Sequence, residues 1–395
     1  MNKRSNLLKH GIVLSLLTST LLYATNGDNL IGVGAKSRAM GGTGIAVSNG
    51  AENALSNPAM ITGVEGTEIS FGGTIFMPDV KTKLGTYPSY SSAADMSVIP
   101  EVSLAHKIND NWYIGVGMFG TAGMGVDYRD AAGNFNMVTN LQLMQFAVPI
   151  AYKTGGLSLA VTPILQYGNL DIDFNMPTGQ SNPPTMHVGA GLAQDFGFGY
   201  NLGASYDFDN GLVLGAVYKS SIEMNYDGQI SHAADAFQLP IGDDLEQPAE
   251  IGVGVSYTMA EHTFAFDYKR VQWSKAKGYQ DFGWEDQDVY AFGYQYAQDN
   301  WALRLGYNYA ASAVVESQNP AINVLNLLGF PATSEQHYTV GGTYTISPKL
   351  GVDVAYVYSP SNTETYDISS LGMNIDTLET EHSENSLSMQ LTYNF

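Results

Sequence analysis

The C-terminal stretch Ser386-Leu387-Ser388-Met389-Gln390-Leu391-Thr392-Tyr393-Asn394-Phe395 alternates without interruption. Leu387, Met389, Leu391, Tyr393 and Phe395 share one face, and Ser386, Ser388, Gln390, Thr392 and Asn394 share the other. A period of two makes this a strand with one apolar and one polar face. A soluble sandwich buries such a face and a membrane barrel turns it to lipid, so the alternation alone does not choose. The terminal residue helps to choose. An aromatic ending the chain on the apolar face has no reason to close a soluble domain.

Working back from the end, the same period recurs at Trp301, Leu303, Leu305 and Tyr307, at Leu212, Leu214, Ala216 and Tyr218, and at Val352, Val354, Tyr356 and Tyr358. Aromatics gather toward strand ends, as an interfacial girdle requires. Tight-turn signals fall at Asn109-Asp110-Asn111, Thr154-Gly155-Gly156, Asp209-Asn210-Gly211, Met259-Ala260-Glu261-His262, Asp299-Asn300 and Ser347-Pro348-Lys349. Longer polar connections lie between them, at 79–97, 127–139, 175–195, 227–250, 275–287, 312–335 and 359–384. Six short turns alternating with seven long loops predict an all-β fold, a 14-stranded antiparallel transmembrane β-barrel, with the short turns on the periplasmic side. The final Phe395 is similar to the C-terminal signature of bacterial outer-membrane barrels.

Composition agrees. The 395 residues include 43 glycines and 25 tyrosines, with only 14% charged residues, where a soluble domain has about 25%. There is no cysteine, which excludes a disulfide framework, thiolate metal sites and cysteine nucleophiles. The net charge of −21 argues against nucleic acid and against a polybasic grip on anionic lipid. Residues 1–24 read as a cleaved signal peptide: Lys3, Arg4 and Lys9 precede an apolar run that starts at Ile12, and Ala24 is small enough to mark the cut. That run is too short to span a bilayer as a helix. The expected location is therefore the outer membrane, reached by export.

Between leader and barrel lies GVGAKSRAMGGTGIAVSNGAENALSNPAM, Gly32 to Met60, with six alanines and almost no bulky side chain. It cannot build a core of its own. A 14-stranded lumen is too wide for wall side chains to fill, so residues 25–63 are read as a plug inside it, leaving 64–395 as barrel. The polar atoms of Asn49, Asn53, Ser56 and Asn57 then bond inward-facing wall groups.

These residues carry a family resemblance. The run Gly34 to Gly44, the motif Ser56-Asn57-Pro58-Ala59, the strand end Asp267-Tyr268 to Trp273-Ser274 and the strand Leu303-Arg304-Leu305-Gly306-Tyr307 resemble the FadL/TodX family of outer-membrane transporters for long-chain fatty acids and aromatic hydrocarbons. The resemblance implies a barrel closed by a periplasmic hatch, with Asn57, Pro58, Ala59, Gly41, Gly42 and Arg38 in its holding or movement. Arg38 is expected to tie the plug to the wall. The resemblance also implies lateral release through a kink in the third strand. That strand reads Trp112 to Gly125 here, and Gly120, Gly123 and Gly125 are the candidates for the break. A second reading of those glycines is that they admit the plug or ease the barrel's curvature. The implied partners are hydrophobic small molecules, with outer-membrane lipid and lipopolysaccharide around a monomer.

Two loops carry more apolar residues than a surface loop leaves exposed: Phe237 and Leu239 in one, Leu325, Leu328 and Phe330 in the other. They are either a capture surface or caps packed on each other. Arg304 is a candidate for a ligand carboxylate or for wall acids. The 175–195 connection, with Pro177, Pro183 and Pro184, departs from the family's long apolar outer loop. The histidines are scattered, with neither HExxH nor G-x-S-x-G, so no enzyme, cofactor or metal site is expected. A general diffusion porin with a static plug is the alternative.

Overall fold

The computed structural model describes residues 25–372 and 375–395, so the leader expected at 1–24 lies outside the described residues. Among these residues fourteen antiparallel strands form the wall. They are β1 (Thr67–Leu84), β2 (Ser97–Lys107), β3 (Trp112–Asp127), β4 (Val138–Ala147, continued by Ile150–Thr154), β5 (Leu157–Pro177), β6 (Thr185–Gly189, continued by Ala193–Asp207) and β7 (Leu212–Lys219). The second half comprises β8 (Glu250–Met259), β9 (His262–Val271), β10 (Gln287–Gln298), β11 (Trp301–Tyr309), β12 (Gln336–Ser347), β13 (Leu350–Asp367) and β14 (Thr377–Asn394). β14 pairs with β1 from Leu378↔Leu84 to Asn394↔Glu68, which closes the sheet and removes its edges. All six tight turns fall where their residues predict, and each of the seven longer connections lies between the expected strands, though strand runs into those at 79–97, 175–195 and 359–384.

The alternation is resolved in favour of lipid. Leu387, Met389, Leu391 and Tyr393 are exposed on the outside, while Ser388, Gln390 and Thr392 are buried on the inside. The same holds for Leu303 and Leu305 against Arg304, and for Phe264 against Ala265. Phe395 is 65% exposed, edge-on to Tyr393, and its backbone N–H donates to the Thr67 carbonyl across the seam.

One boundary differs from expectation. β13 and β14 run on to Asp367 and back from Thr377, through most of the stretch read as a loop. In this extension one face carries Thr380, His382 and Glu384 against the barrel contents, and the other faces water, so no apolar alternation marks it. The 175–195 connection is likewise mostly strand, a hairpin of Met186↔Met176 and neighbouring pairs rather than an apolar helix.

Residues 25–63 lie in the lumen, bonded to wall strands around the ring. They contain the helices α1 (Gly34–Ala39) and α2 (Asn53–Ser56) and a 3₁₀ turn, Pro58–Gly63. Gly44 and Ile45 N–H groups donate to the Asp267 carboxylate on β9 at 2.8 and 2.9 Å, and the Gly41 N–H donates to Thr339 on β12 at 3.0 Å. Ser256 on β8 donates to the Ala46 carbonyl, and Thr62 meets Ser158 on β5. Arg38 is buried; it donates to Glu101 on β2 at 2.5 Å and also bonds Thr74 on β1 and Ser388 on β14. Close approach explains the glycine pair. Gly41 has φ +70°, and a Cβ there would lie 2.7 Å from the carbonyl oxygens of Phe292 and Tyr307. Gly42, at φ +87°, packs on the Ile31 carbonyl. A side chain at Gly41 would push this segment off the wall, and one at Gly42 would collide with the segment's own backbone at Ile31.

Candidate functional site

The third strand is where the wall departs from a regular barrel. The β2–β3 ladder runs from Lys107↔Tyr113 to Glu101↔Phe119 and stops. Beyond it, Ser97 to Pro100 of β2 continue on β1, from Phe76↔Ser97 to Gly73↔Pro100. β3 continues on β4 from Gly120↔Met144 to Asp127↔Val138, with a register shift between Gly120 and Ala122. Two local causes are visible. Pro100 has no N–H to extend the ladder toward β3. The extra residue, Thr121, bends β3 away from β2, as a bulge does.

The freed edge of β3 is taken by the N-terminal segment. Asn29 bridges Ala122, and the Gly123 N–H donates to the Asp28 carbonyl at 3.1 Å. That segment is held on its other sides by three more contacts. The Thr25 hydroxyl bonds the Glu384 carboxylate, Tyr279 donates to the Asp28 carboxylate, and Gln247 donates to the Asn29 side-chain oxygen at 2.8 Å.

A cavity of about 230 Å³ lies between the parted strands. Phe76, Val98, Ile99 and Pro100 line one side, and Gly120, Ala122, Gly123, Met124 and Gly125 the other. Val98 is also 71% exposed on the outer face, so the cavity reaches the lipid side of the wall. Met124 and Leu141 line it and also line a smaller apolar space of about 20 Å³ together with Trp284, Ile230 and Phe330. The glycines singled out in the third strand are therefore gathered at one place.

The outer loops fill the barrel mouth. α3 (Gln229–Ala236), a helical stretch begun by α4 (Pro320–Val324) and ended by a turn over Leu325–Gly329, and the loop bearing Trp273, Tyr279 and Trp284 form one apolar cluster with the wall. The three rings stand at centroid distances of 4.7 to 5.1 Å. Leu239, Leu325 and Leu328 are buried in this cluster, and Phe237 stacks on Phe174. They are thus not an exposed capture surface: a wide lumen needs filling, and these segments fill it. Phe330 lines the smaller space of about 20 Å³. Leu328→Ala should lower stability toward urea by about 2–5 kcal/mol, since the site is fully enclosed. Equilibrium unfolding followed by tryptophan fluorescence measures it.

Arg304 is placed elsewhere. Its guanidinium donates to Gln295 at 2.8 Å and Thr343 at 2.6 Å and lies 3.7 Å from Asp353, which Lys36 of the plug also approaches at 3.9 Å. This charge network ties the N-terminal segment to the wall, apart from the cavity beside β3. Asn57 caps the 3₁₀ turn, accepting from the Ala59 N–H at 3.1 Å, and donates to the Ile45 carbonyl at 2.6 Å and to the Ala204 carbonyl of β6 at 3.1 Å. Among the described residues no group of three or more His, Asp or Glu side chains is arranged to hold a metal.

Three comparisons place the chain among known proteins. The family model described as outer membrane protein transport protein (OMPP1/FadL/TodX) matches residues 29–395. The chain belongs to this family. As a member of the OMPP1/FadL/TodX family it is a transport protein of the outer membrane and not an enzyme. It is 25% identical to the long-chain fatty acid transport protein of Salmonella typhi, over 81% of this chain and 84% of that protein. It is 21% identical to the 47 kDa outer membrane protein of Pasteurella multocida, over the same shares. Its fold matches that of a Pseudomonas aeruginosa FadL homologue with a TM-score of 0.73 at 16% identity, covering 95% of this chain and all of that one. It also matches the P. putida toluene transporter TodX with a TM-score of 0.69 at 20% identity, covering 92% and 99%. At these identities the structural matches speak for the fold.

Several residues at the site escaped the sequence reading, among them Thr25, Asp28, Asn29, Gln247 and Tyr279, Glu384 just before the C-terminal alternating stretch, and Pro100. The last left a signal, a proline directly after the apolar pair Val98-Ile99 and within the strand.

Proposed function

We propose that this protein carries hydrophobic compounds across the outer membrane and releases them sideways into the bilayer through the opening between β2 and β3. The names of its relatives point to fatty acids and aromatic hydrocarbons. The observation that supports the reading most is the ladder that ends at Glu101↔Phe119 with an apolar-lined cavity behind it. An apolar ligand gains about 0.8 kcal/mol for each methylene that leaves water, so a wet pore opposes transfer and a route ending in lipid favours it. In this reading residues 25–63 act as a hatch. Release requires the N-terminal segment to leave the β3 edge, and Asn57-Pro58-Ala59 holds the rest against β6. The competing reading is a general diffusion pore with a static plug.

The test is uptake of a hydrophobic fluorescent probe by cells and passage of neutral sugars into proteoliposomes. Asn57→Ala removes two donated bonds and a cap, each worth about 1 kcal/mol and more where a buried carbonyl is left unpaired. The expected result is a barrel that still assembles, with a several-fold rise in sugar leak and a fall in probe uptake. Free passage of sugars through the unmodified protein would instead establish the pore.

A further inference from the structure

We propose that six inward-facing glycines of the wall, Gly203, Gly215, Gly254, Gly293, Gly306 and Gly341, form a seat that seals the lumen against hydrophilic solutes and so sets what the protein keeps out. This deepens the reading of residues 25–63 as the closure of a carrier, and rests on it.

The wall itself gives no reason for these glycines. They lie on β6, β7, β8, β10, β11 and β12, and none has a positive φ. A glycine inside a strand weakens it and packs nothing, so its return on strand after strand calls for a close neighbour. The six are also aligned around the ring. Gly215 is directly opposite Gly254, and Gly293 is directly opposite Gly306. Gly203 pairs with Val217, two residues from Gly215, and Gly306 pairs with Thr339, two residues from Gly341. Between them β9 places Asp267 opposite Gly254.

The close neighbour is the backbone of residues 39–58. A methyl group at Gly306 would overlap the Gly41 nitrogen and the Met40 carbonyl carbon, and one at Gly215 would overlap the Ile45 carbonyl oxygen. At Gly341 it would stand 2.6 Å from the Ala39 Cβ, at Gly293 2.8 Å from the Met40 Cβ, and at Gly203 2.8 Å from the Pro58 Cδ. Main-chain atoms cannot swing aside as the end of a long side chain can.

The segment is bonded as closely as it is packed. Successive inward positions of a strand are two residues apart, and polar side chains occupy that position beside three of the glycines. Thr339 donates to the Ala39 carbonyl and receives the Gly41 N–H, both at 3.0 Å. Asn308 donates to the Gly41 carbonyl at 3.0 Å, and Ser256 donates to the Ala46 carbonyl at 2.7 Å. The pattern is a glycine that admits the backbone and a polar neighbour that satisfies it. Ala39, Met40, Ile45 and Asn57 are in consequence at most 2% exposed. A polar solute crosses where a file of water crosses with it, and this burial interrupts such a file along the arc from β6 to β12.

The experiment is entry of arabinose into liposomes that carry the full-length mature protein, followed by osmotic swelling. Liposomes with the unmodified protein are expected to swell no faster than empty ones. Gly306→Ala and Gly215→Ala should each raise the rate about tenfold, because overpacking a close contact favours the lifted segment by about that factor. Gly351→Ala on β13 is the control: the nearest atom to a methyl there is the Tyr344 carbonyl oxygen, 4.0 Å away, and the rate should stay that of the unmodified protein. Ala39→Leu enlarges the contact with Gly341 from the segment's side and leaves the wall sequence unchanged. It should leak as the wall variants do, and it carries the test if they fail to assemble, which heat-modifiable migration reports. An unchanged rate in the assembled Gly306→Ala and Gly215→Ala proteins, or in Ala39→Leu, would overturn the seal and leave the carrier reading intact. An equal leak through Gly351→Ala would overturn it too. Arabinose passing freely through the unmodified protein would overturn both.

Discussion

Replacing Gly120 and Gly123 together with valine is expected to reduce uptake of a hydrophobic probe to the background of cells without the protein. Both glycines line the cavity between the parted strands. A Cβ at Gly120 would press directly on the Ile99 side chain, and one at Gly123 would stand 3.1 Å from the Leu141 carbonyl. The side chain at Gly120 would therefore fill space across the gap toward β2, and the one at Gly123 would crowd the β4 side of the cavity. The barrel itself should form, because the β3–β4 ladder through these positions uses backbone groups and valine favours strands. Surface exposure, heat-modifiable migration and probe uptake measured on the same cells separate a blocked route from a failed fold. Normal uptake in a well-assembled variant would retire the lateral exit.

The second large effect concerns the N-terminal segment. Asn29 and Ala122 are direct partners in an antiparallel bridge, a geometry that accepts a cross-strand disulfide. The natural chain has no cysteine, so Asn29→Cys with Ala122→Cys introduces the single pair. Oxidised, this variant pins residues 25–30 to the freed edge of β3, and uptake is expected to fall at least tenfold. A reductant should restore it. Uptake that ignores the redox state would mean that the segment stays in place during transport, and the hatch would then be a static plug. Together the two variants separate an exit that does not exist from an exit that exists and is never closed.

The residues differ in how plainly they announce these features. The strand count was readable because lipid imposes one rule on every strand, apolar outward and polar inward, and because two-residue connections need Gly, Asn or Asp at fixed places. The rule ends where the lipid ends. Thr363, Thr365 and Thr380 form regular strand above it without an apolar face, so the extension of β13 and β14 was read as loop. The need of Gly32 to Met60 for packing partners outside itself is legible from what it lacks. Its anchors were legible only in part: Arg38 and Asn57 stood out beside their motifs, whereas the Thr25–Glu384 bond joins residues 359 positions apart and leaves no local trace. The apolar segment at 322–330 allowed two readings, and burial of Leu325 and Leu328 decides for packing over exposure. Arg304 faced inward as its alternation requires, yet its partners came from three different strands, which no single-strand pattern encodes.

Arg38 has one more consequence. Its guanidinium reaches Thr74 on the first strand of the wall and Ser388 on the last, and these two hydroxyls meet each other at 2.7 Å across the seam. That binding place does not exist on either end of the sheet alone; it is created when the two ends meet. A nascent sheet that has not yet zipped shut offers the arginine half a site, and a sheet that has zipped shut without the plug leaves Glu101 inside with no counter-charge. Closure of the sheet and seating of Arg38 therefore share one site.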